Sequence, residues 1–569
     1  MRASFLVTGE KIYTQSERSR MSFSSYWHGA PEAVLPGGTE PLRKALFQVP
    51  LPVYVISTPN GPGVVTSGSA RLGQPESAEE GELPLLGYAP PLLPASFGDT
   101  DFKNMIGVRY AYVAGAMANG ITSVQMVEAA ARAGMVGFFG AAGLPPEKVE
   151  AAIDELQGRL PDLPFGSNLI HSPGDPALEE AIVDLYLRKG VRLVSASAYM
   201  RLTPSIVRYR VKGLHTDADG RVAAPNRLVA KVSRVEVASR FFSPPPEKIL
   251  SKLAAEGAIT AEEAALAAKI PMADALTAEA DSGGHTDNRP ALALLPTMLA
   301  LRNTLCEQYG YDRTIHVGLG GGIATPESTA AAFAMGAAYV VTGSVNQACV
   351  EAGVTDTVRK MLVEAGQADV TMAPAADMFE MGGKVQVLKR GTMFAMRAAK
   401  LYDLYVRHDQ YAAIPEKERQ NIEEKMLRRG FEEEWQETRK FFLQRDPRQV
   451  ERAEKDPRHK MALVFRSYLG RSSMWGITGE EDRKVDFQIW CGPAMGAFNE
   501  WARGSFLEGT DNRDLATVAM NLLYGAAVVT RAGWLRQQGI TVPPEAVRTA
   551  PMTKEEIAAH CQPGTIVSE

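Results

Sequence analysis

The residues of this chain best suited to chemistry lie in glycine-bearing segments. Val317-Gly318-Leu319-Gly320-Gly321-Gly322-Ile323-Ala324 runs from an apolar, β-branched approach into three glycines, and Tyr339-Val340-Val341-Thr342-Gly343-Ser344 follows about twenty residues later. Backbone N–H groups at glycine can close on an anion because no Cβ intervenes, and a helix starting behind them adds a positive end. Two such turns, one β-α unit apart, predict a phosphate cradle built by Gly320, Gly321, Gly322, Gly343 and Ser344. The last two strands of a (β/α)₈ barrel commonly form such a site, and a flavin mononucleotide phosphate fits it.

A third segment, Glu279-Ala280-Asp281-Ser282-Gly283-Gly284-His285, places a histidine behind two glycines. Gly283 and Gly284 let the backbone approach a ligand closely, and an imidazole with an ordinary pKa of about 6.5 suits a proton donor at neutral pH. His285 is therefore the candidate catalytic residue. His171 is a weaker competitor, and His316 falls inside a strand and is expected to be packed. The small residues of Ala114-Gly115-Ala116-Met117 let a flat ring lie against the backbone, or simply form a tight turn. Asn168 offers an amide to a ring edge or phosphate, and Lys231 a cation at the end of the fifth strand. Cys491 precedes a helix but has no partner histidine nearby in sequence, so a nucleophilic role is not expected. The methionines of residues 371–408 suit either core packing or the lining of an acyl channel. The charged helices around Arg428, Arg429, Lys440, Arg445 and Arg448 read most simply as a solvated face.

Positioning these residues requires strand ends gathered on one face. Strand-like runs at 110–113, 135–139, 164–170, 191–197, 227–232, 272–277, 314–317 and 339–342 alternate mostly with amphipathic helical runs. Eight such units match a closed (β/α)₈ TIM barrel, with an open doubly wound sheet as the alternative. The barrel is preferred because candidate residues follow many strands rather than one switch point. Residues 1–95 read as an irregular N-terminal region with short β pieces, 68–81 as an exposed loop, and 96–365 as the barrel. A helical insertion at 234–271 carries a capping-box pattern, Thr260 with Glu263. Residues 366–475 read as a Met-rich, charged helical extension and 476–569 as a C-terminal helical region.

Bulk properties exclude several classes. The 569 residues carry 61 Lys+Arg against 66 Asp+Glu, a formal charge of −5 without long basic blocks, so no nucleic-acid partner is expected. The four cysteines form no Cys-x-x-Cys pair, which argues against zinc and disulfide frameworks. The N-terminal apolar run is too short for a signal peptide, and the apolar stretch 515–529 is shorter than the roughly 20 residues that span a bilayer. A cytoplasmic protein without a membrane partner is the expectation.

Gly283-Gly284-His285, Gly321-Gly322-Ile323 and Gly343-Ser344 together resemble the nitronate monooxygenase-like flavin barrels, a family that includes flavin-dependent bacterial enoyl reductases. Thr371-Met372-Ala373-Pro374-Ala375-Ala376-Asp377-Met378-Phe379-Glu380-Met381-Gly382 and Cys491-Gly492-Pro493-Ala494-Met495-Gly496-Ala497-Phe498-Asn499 resemble the PfaD-type proteins. Those are trans-acting enoyl reductases of polyketide and polyunsaturated fatty acid synthases. The superfamily pattern often reads Glu-Ala-Gly-Gly-His, whereas here Glu279 and the glycines are further apart; His285 keeps its place. The resemblance implies non-covalent FMN, NADPH as reductant, and an acyl thioester on an acyl carrier protein domain as substrate. It also implies hydride delivery to the β-carbon, with His285 supplying the α-proton. Homo-oligomerisation stays open. So do two other readings, a nitronate monooxygenase using oxygen and a non-catalytic scaffold protein of a synthase.

Overall fold

The computed structural model describes residues 25–73 and 78–562, so the N-terminal apolar run lies outside the described residues. Eight short parallel strands close into a barrel. They are β1 (Tyr112–Ala114), β2 (Val136–Phe139), β3 (Gly166–Ile170), β4 (Leu193–Ser197), β5 (Arg227–Val232), β6 (Ala275–Glu279), β7 (His316–Gly320) and β8 (Val340–Thr342). β8 pairs with β1 and completes the ring, which settles the choice between barrel and open sheet. The strands are apolar because the barrel interior covers one face and helices the other.

Polar groups inside the barrel are paired. The Tyr339 ring occupies the space a side chain at 318 would need, since a Cβ on Gly318 would lie 2.4 Å from it. Its hydroxyl bonds Thr277 Oγ1 at 2.9 Å. Tyr112 donates to Asn346 Oδ1 at 2.9 Å and accepts from Thr342 Oγ1 at 2.6 Å. Near the N-terminal ends of the strands, Arg210 and Asp274 form a buried two-pronged pair at 2.7 and 2.9 Å.

Helix starts follow local chemistry. Ser123 caps Val124–Arg132, Asp175 caps Pro176–Lys189, and Thr203 caps Pro204–Val211, each with its side-chain oxygen on a free amide. The insertion between β5 and β6 holds Val235–Phe242, Glu247–Ala255 and Ala261–Ala267. The expected capping box is formed: Glu263 N donates to Thr260 Oγ1 at 3.0 Å and Thr260 N to Glu263 Oε2 at 2.7 Å. Glu263 Oε1 also accepts from Gly213 N at 2.7 Å, tying the insertion to the chain that follows β4.

Downstream of the barrel, Val370–Pro374 and Lys384–Leu388 form an antiparallel pair, a strand element that the methionine-rich composition hid. Helices Phe394–Arg407, Phe431–Arg445, Pro447–Lys455 and Pro457–Thr478 follow.

The chain divides into two compact units, one of residues 98–324 and 335–515 and one of residues 1–97, 325–334 and 516–569. Among the described residues, the second is built on a six-stranded sheet, more regular than the sequence suggests. The stretch expected as a loop from 68 contains a strand, Ser69–Arg71, paired with Tyr26–His28, while residues 74–77 lie outside the described ones. The helix Leu515–Gln537 runs past the apolar stretch read from sequence to 23 residues, long and apolar enough to cross a bilayer by length and composition. Its apolar window is nevertheless 78% buried within the fold. Tyr524 on it donates to Phe47 O at 2.7 Å, and the buried Arg531 guanidinium bonds the Leu46 and Leu51 carbonyls. These contacts mark a core helix.

Candidate active site

The loop after β6 carries His285 and is held from the extension. Gly284 and Gln386 exchange backbone hydrogen bonds, Gly284 N to Gln386 O at 2.9 Å and Gln386 N to Gly284 O at 2.7 Å. The Gln386 amide donates to Ser282 O and to Asp281 Oδ1, both at 2.8 Å. Gly283 packs against the backbone of the Cys491 turn, so tightly that a Cβ there would lie 2.9 Å from Cys491 N. The glycine at 283 is thus required by a protein contact, which differs from the close ligand approach its sequence position suggests. Gly284 takes φ +80°, the left-handed region that favours glycine.

So held, His285 places Nε2 3.1 Å from Asp377 Oδ1. The His285 side chain keeps 40% of its surface accessible and that of Asp377 60%. Burial nevertheless bears on both groups. Burial pulls the His285 imidazolium downward, but the bonded Asp377 carboxylate outweighs it, with Lys231 pushing down and Glu279 up; the net shift is above the ordinary histidine value. Burial conversely raises Asp377, and the hydrogen bond and charge of His285 bring it below the ordinary carboxylate value. Arg466 braces the neighbouring backbone by donating from Nε to Ala376 O at 2.8 Å. Lys231, at the end of β5, pairs with Glu279, at the end of β6, at 2.8 Å. The Lys231 cation is therefore neutralised by a carboxylate, and Glu279 joins the site despite its altered spacing from the glycines.

The two glycine turns lie side by side, because β7 and β8 pair with Leu319 opposite Val340 and Gly320 opposite Val341. A Cβ added at Gly322 or Gly343 would meet nothing within 4 Å. The amides of Gly322, Ile323 and Gly343 have no acceptor among the described residues. Open space and uncommitted N–H groups at adjacent strand ends suit a flavin phosphate. Gly320 and Gly321 serve differently: Gly320 sits beside Thr277 and Val341, and Gly321, at φ +90°, turns the chain past Ala280 and Asp281. Two details differ from the expectation of helix N-termini at the phosphate. The helix after Gly322, Pro326–Ala334, begins with a local cap in which Ser328 N donates to Thr325 Oγ1. The helix after Gly343, Ser344–Gln347, is a single turn, so free amides rather than a long dipole are what that turn supplies.

The remaining candidates have structural partners. Gly115 N donates to Thr342 O at 2.9 Å, prolonging the β1–β8 ladder, and Thr122 Oγ1 bridges Gly115 O and Met117 N at 2.7 and 2.9 Å, which fixes the turn through Ala114 and Ala116. Asn168 donates both amide hydrogens to β4, at Ser195 O and Ser197 Oγ, and so can offer only its Oδ1 to a ligand. Ser344 Oγ accepts from Gly492 N at 2.9 Å. His171 is buried and stacked on Tyr199, and His316 is buried at the start of β7. Cys491 is buried, and burial, with a smaller push from Asp369, drives its thiol up to about 12, the reverse of an activated nucleophile. Met381 and Met396 are among the most exposed apolar side chains, outside the core role open to them from sequence. Sequence reading gave Asp377 only as part of a family motif, left the role of Glu279 in doubt because of its altered spacing, and missed Gln386.

A family model described as nitronate monooxygenase matches residues 100–434. A second, the inserted helical domain of acyl-carrier-protein S-malonyltransferase, matches residues 408–487. A polyunsaturated fatty acid synthase component of a Thraustochytrium species is 44% identical over 524 residues, which take in 89% of this chain and 34% of that protein. Polyketide biosynthesis protein PksE of Bacillus subtilis is 46% identical over 435 residues, 76% of this chain and 56% of PksE. The chain thus spans between about a third and little over half the length of these relatives. Among solved structures, the enoyl reductase domain of MlnA, from the macrolactin biosynthesis cluster of Bacillus amyloliquefaciens, matches with a TM-score of 0.74 at 38% identity. That match covers 78% of this chain and 99% of the domain.

Proposed function

The chain belongs to the nitronate monooxygenase family of oxidoreductases, in its PfaD-type branch, and from that premise we propose that it is an FMN-dependent reductase of 2-enoyl thioesters. In this reading NADPH is the reductant, and the substrate rides on an acyl carrier protein domain of a polyketide or polyunsaturated fatty acid synthase, met in trans. The observation that carries the proposal is the His285–Asp377 pair, in the same cluster as Lys231 and Glu279.

When bound, the flavin supplies hydride transfer; the protein supplies position, charge and a proton. The amides of Gly322, Ile323 and Gly343 hold the flavin phosphate. Reduction of a conjugated thioester builds negative charge toward the carbonyl oxygen and leaves the α-carbon in need of a proton. His285 delivers that proton. Its Nε2 is engaged by Asp377, while its Nδ1 has no hydrogen-bond partner among the described residues, so Nδ1–H is the donor. Asp377 keeps the ring charged and orients it, the role a carboxylate plays behind a catalytic imidazole. Gln386 and the Cys491 turn hold the loop so that the donor stays in place.

Anaerobic stopped-flow on the purified full chain tests this. NADPH should bleach the flavin spectrum, and crotonyl-pantetheine or crotonyl-carrier protein should restore it. A yellow protein that is not reoxidised by enoyl thioesters, yet consumes oxygen with a nitroalkane, would make it a nitronate monooxygenase. A colourless protein would point to a scaffold.

A further inference from the structure

We propose that a cavity on the barrel flank, between the turn after β4 and the first insertion helix, is a binding site for a phosphate ester. It has a volume of about 330 Å³ and is lined by Arg201, Leu202, Ser239, Arg240, Pro244 and Pro246, among others, with no aspartate or glutamate. Arg201 is exposed and makes no ion pair among the described residues. Arg240 spends one guanidinium nitrogen on Met200 O, at 3.0 Å, and pairs with no carboxylate among the described residues. Three arginines of the same stretch are paired by contrast, Arg208 with Asp184, Arg210 with Asp274 and Arg234 with Asp287. Two arginines thus line one cavity whose lining holds no acidic residue. In a chain of net charge −5, with carboxylates available to most arginines, that arrangement marks a site whose counter-charge comes from a ligand.

Shape and chemistry narrow the ligand. Planar guanidinium forks match the oxygens of a phosphate, and paired forks match a dianion. The Leu202, Pro244 and Pro246 wall suits a small organic portion beside the anion. A volume at the lower end of ligand sites, roughly 300–1,000 Å³, takes a phosphate with its immediate substituent and excludes a whole dinucleotide or a folded carrier. The shared chemistry has two sources, the ribose 2′-phosphate end of a phosphorylated adenine dinucleotide and the phosphate of a pantetheine arm. Only the choice between these sources rests on the reductase reading.

Calorimetric titration of the full chain with adenosine 2′,5′-bisphosphate and with 4′-phosphopantetheine decides it. The expectation is saturable binding of at least one probe, weakened about tenfold or more by Arg201→Gln, the loss expected when one charge-assisted guanidinium–phosphate contact is removed. Because Arg201 is exposed and makes no ion pair, circular dichroism and melting of the variant should not change; Arg240→Gln should weaken the same probe. Loss confined to the bisphosphate assigns the cavity to the dinucleotide, loss confined to phosphopantetheine assigns it to the carrier arm, and equal loss of both supports a site that reads phosphate alone. Absence of binding by either probe at millimolar concentration, or affinities that Arg201→Gln leaves unchanged, overturns the proposal. This readout needs no turnover, so it stands or falls apart from the reductase reading.

Discussion

Nε2 of His285 and Oδ1 of Asp377 stand 3.1 Å apart although 92 positions separate the two residues in the chain. The contact joins the loop after a barrel strand to the segment that follows the barrel, so the extension contributes the carboxylate that faces the candidate histidine. Linkage follows from the directions of the two shifts. His285, raised, adds stability that is complete below the unfolded histidine value and is lost as pH rises through its folded value. Asp377, lowered, adds stability present above the unfolded carboxylate value and lost as pH falls through its folded value. Both side chains are solvent-accessible, so screening keeps the effect on folding small, and catalysis is the more sensitive readout.

Asp377→Asn should move the alkaline limb of the kcat/KM profile to lower pH, because the imidazolium loses the carboxylate that holds its proton. His285→Ala should retain flavin and lose about two orders of magnitude or more in turnover, the usual contribution of a positioned acid. An unmoved limb in Asp377→Asn would assign the ionisation to another group.

Gly343→Ala isolates the proposed phosphate cradle. Position 343 has φ −125°, open to any residue, and the added methyl meets nothing within 4 Å. The flavin-free variant should melt with the wild type while its affinity for FMN falls. Gly322→Ala, at φ +78°, should show the same loss together with a backbone penalty of about 1 kcal/mol. Unchanged flavin content in Gly343→Ala, read from absorbance after gel filtration, would place the phosphate elsewhere.

Gly283→Ala drives a methyl into the backbone of the Cys491 turn. Overpacking of this kind costs about 1–3 kcal/mol. Because the displaced loop carries His285, turnover should fall further than flavin affinity. The comparison is between kcat and the FMN dissociation constant; equal changes in both would deny the loop its positioning role.

Asp274→Ala should destabilise the barrel by about 3–5 kcal/mol, since it strands the buried Arg210 guanidinium. Asp274 also accepts from Leu228 N at 2.9 Å, so the start of β5 loses a partner as well. Urea denaturation measures this directly, and Arg210→Met with Asp274→Ala should recover part of the loss.

Native-state alkylation should modify Cys306 and Cys561, which are partly accessible, ahead of Cys349 and Cys491. Burial raises both of the latter thiols, so they should react only after unfolding. Rapid labelling of Cys491 in the folded protein would contradict its buried placement.

The barrel was legible from the chain alone, because each strand is a short apolar run and most of the intervening segments carry helical periodicity and a capping residue. β5 was expected at the bounds observed, while β6 and β7 begin and end two or three residues later than expected, β7 running into Gly318 and Gly320, where side-chain propensity is silent. The glycine turns after β7 and β8 were legible for the same local reason. The six-stranded sheet of the N-terminal region was not, since its strands pair across intervening loops and helices and several are only two or three residues long. The partners of the site were equally hidden. Asp377, Gln386 and Cys491 lie about 90 residues or more beyond the loop they hold, in segments whose composition suggests only helix, methionine and turn. Local sequence determined where strands end and where backbone amides stay uncovered, because those depend on the few residues adjoining each turn. Which carboxylate faces His285, which backbone requires a glycine at 283, and which cation meets Glu279 were decided only when barrel closure and the docking of the extension brought distant segments within hydrogen-bond reach.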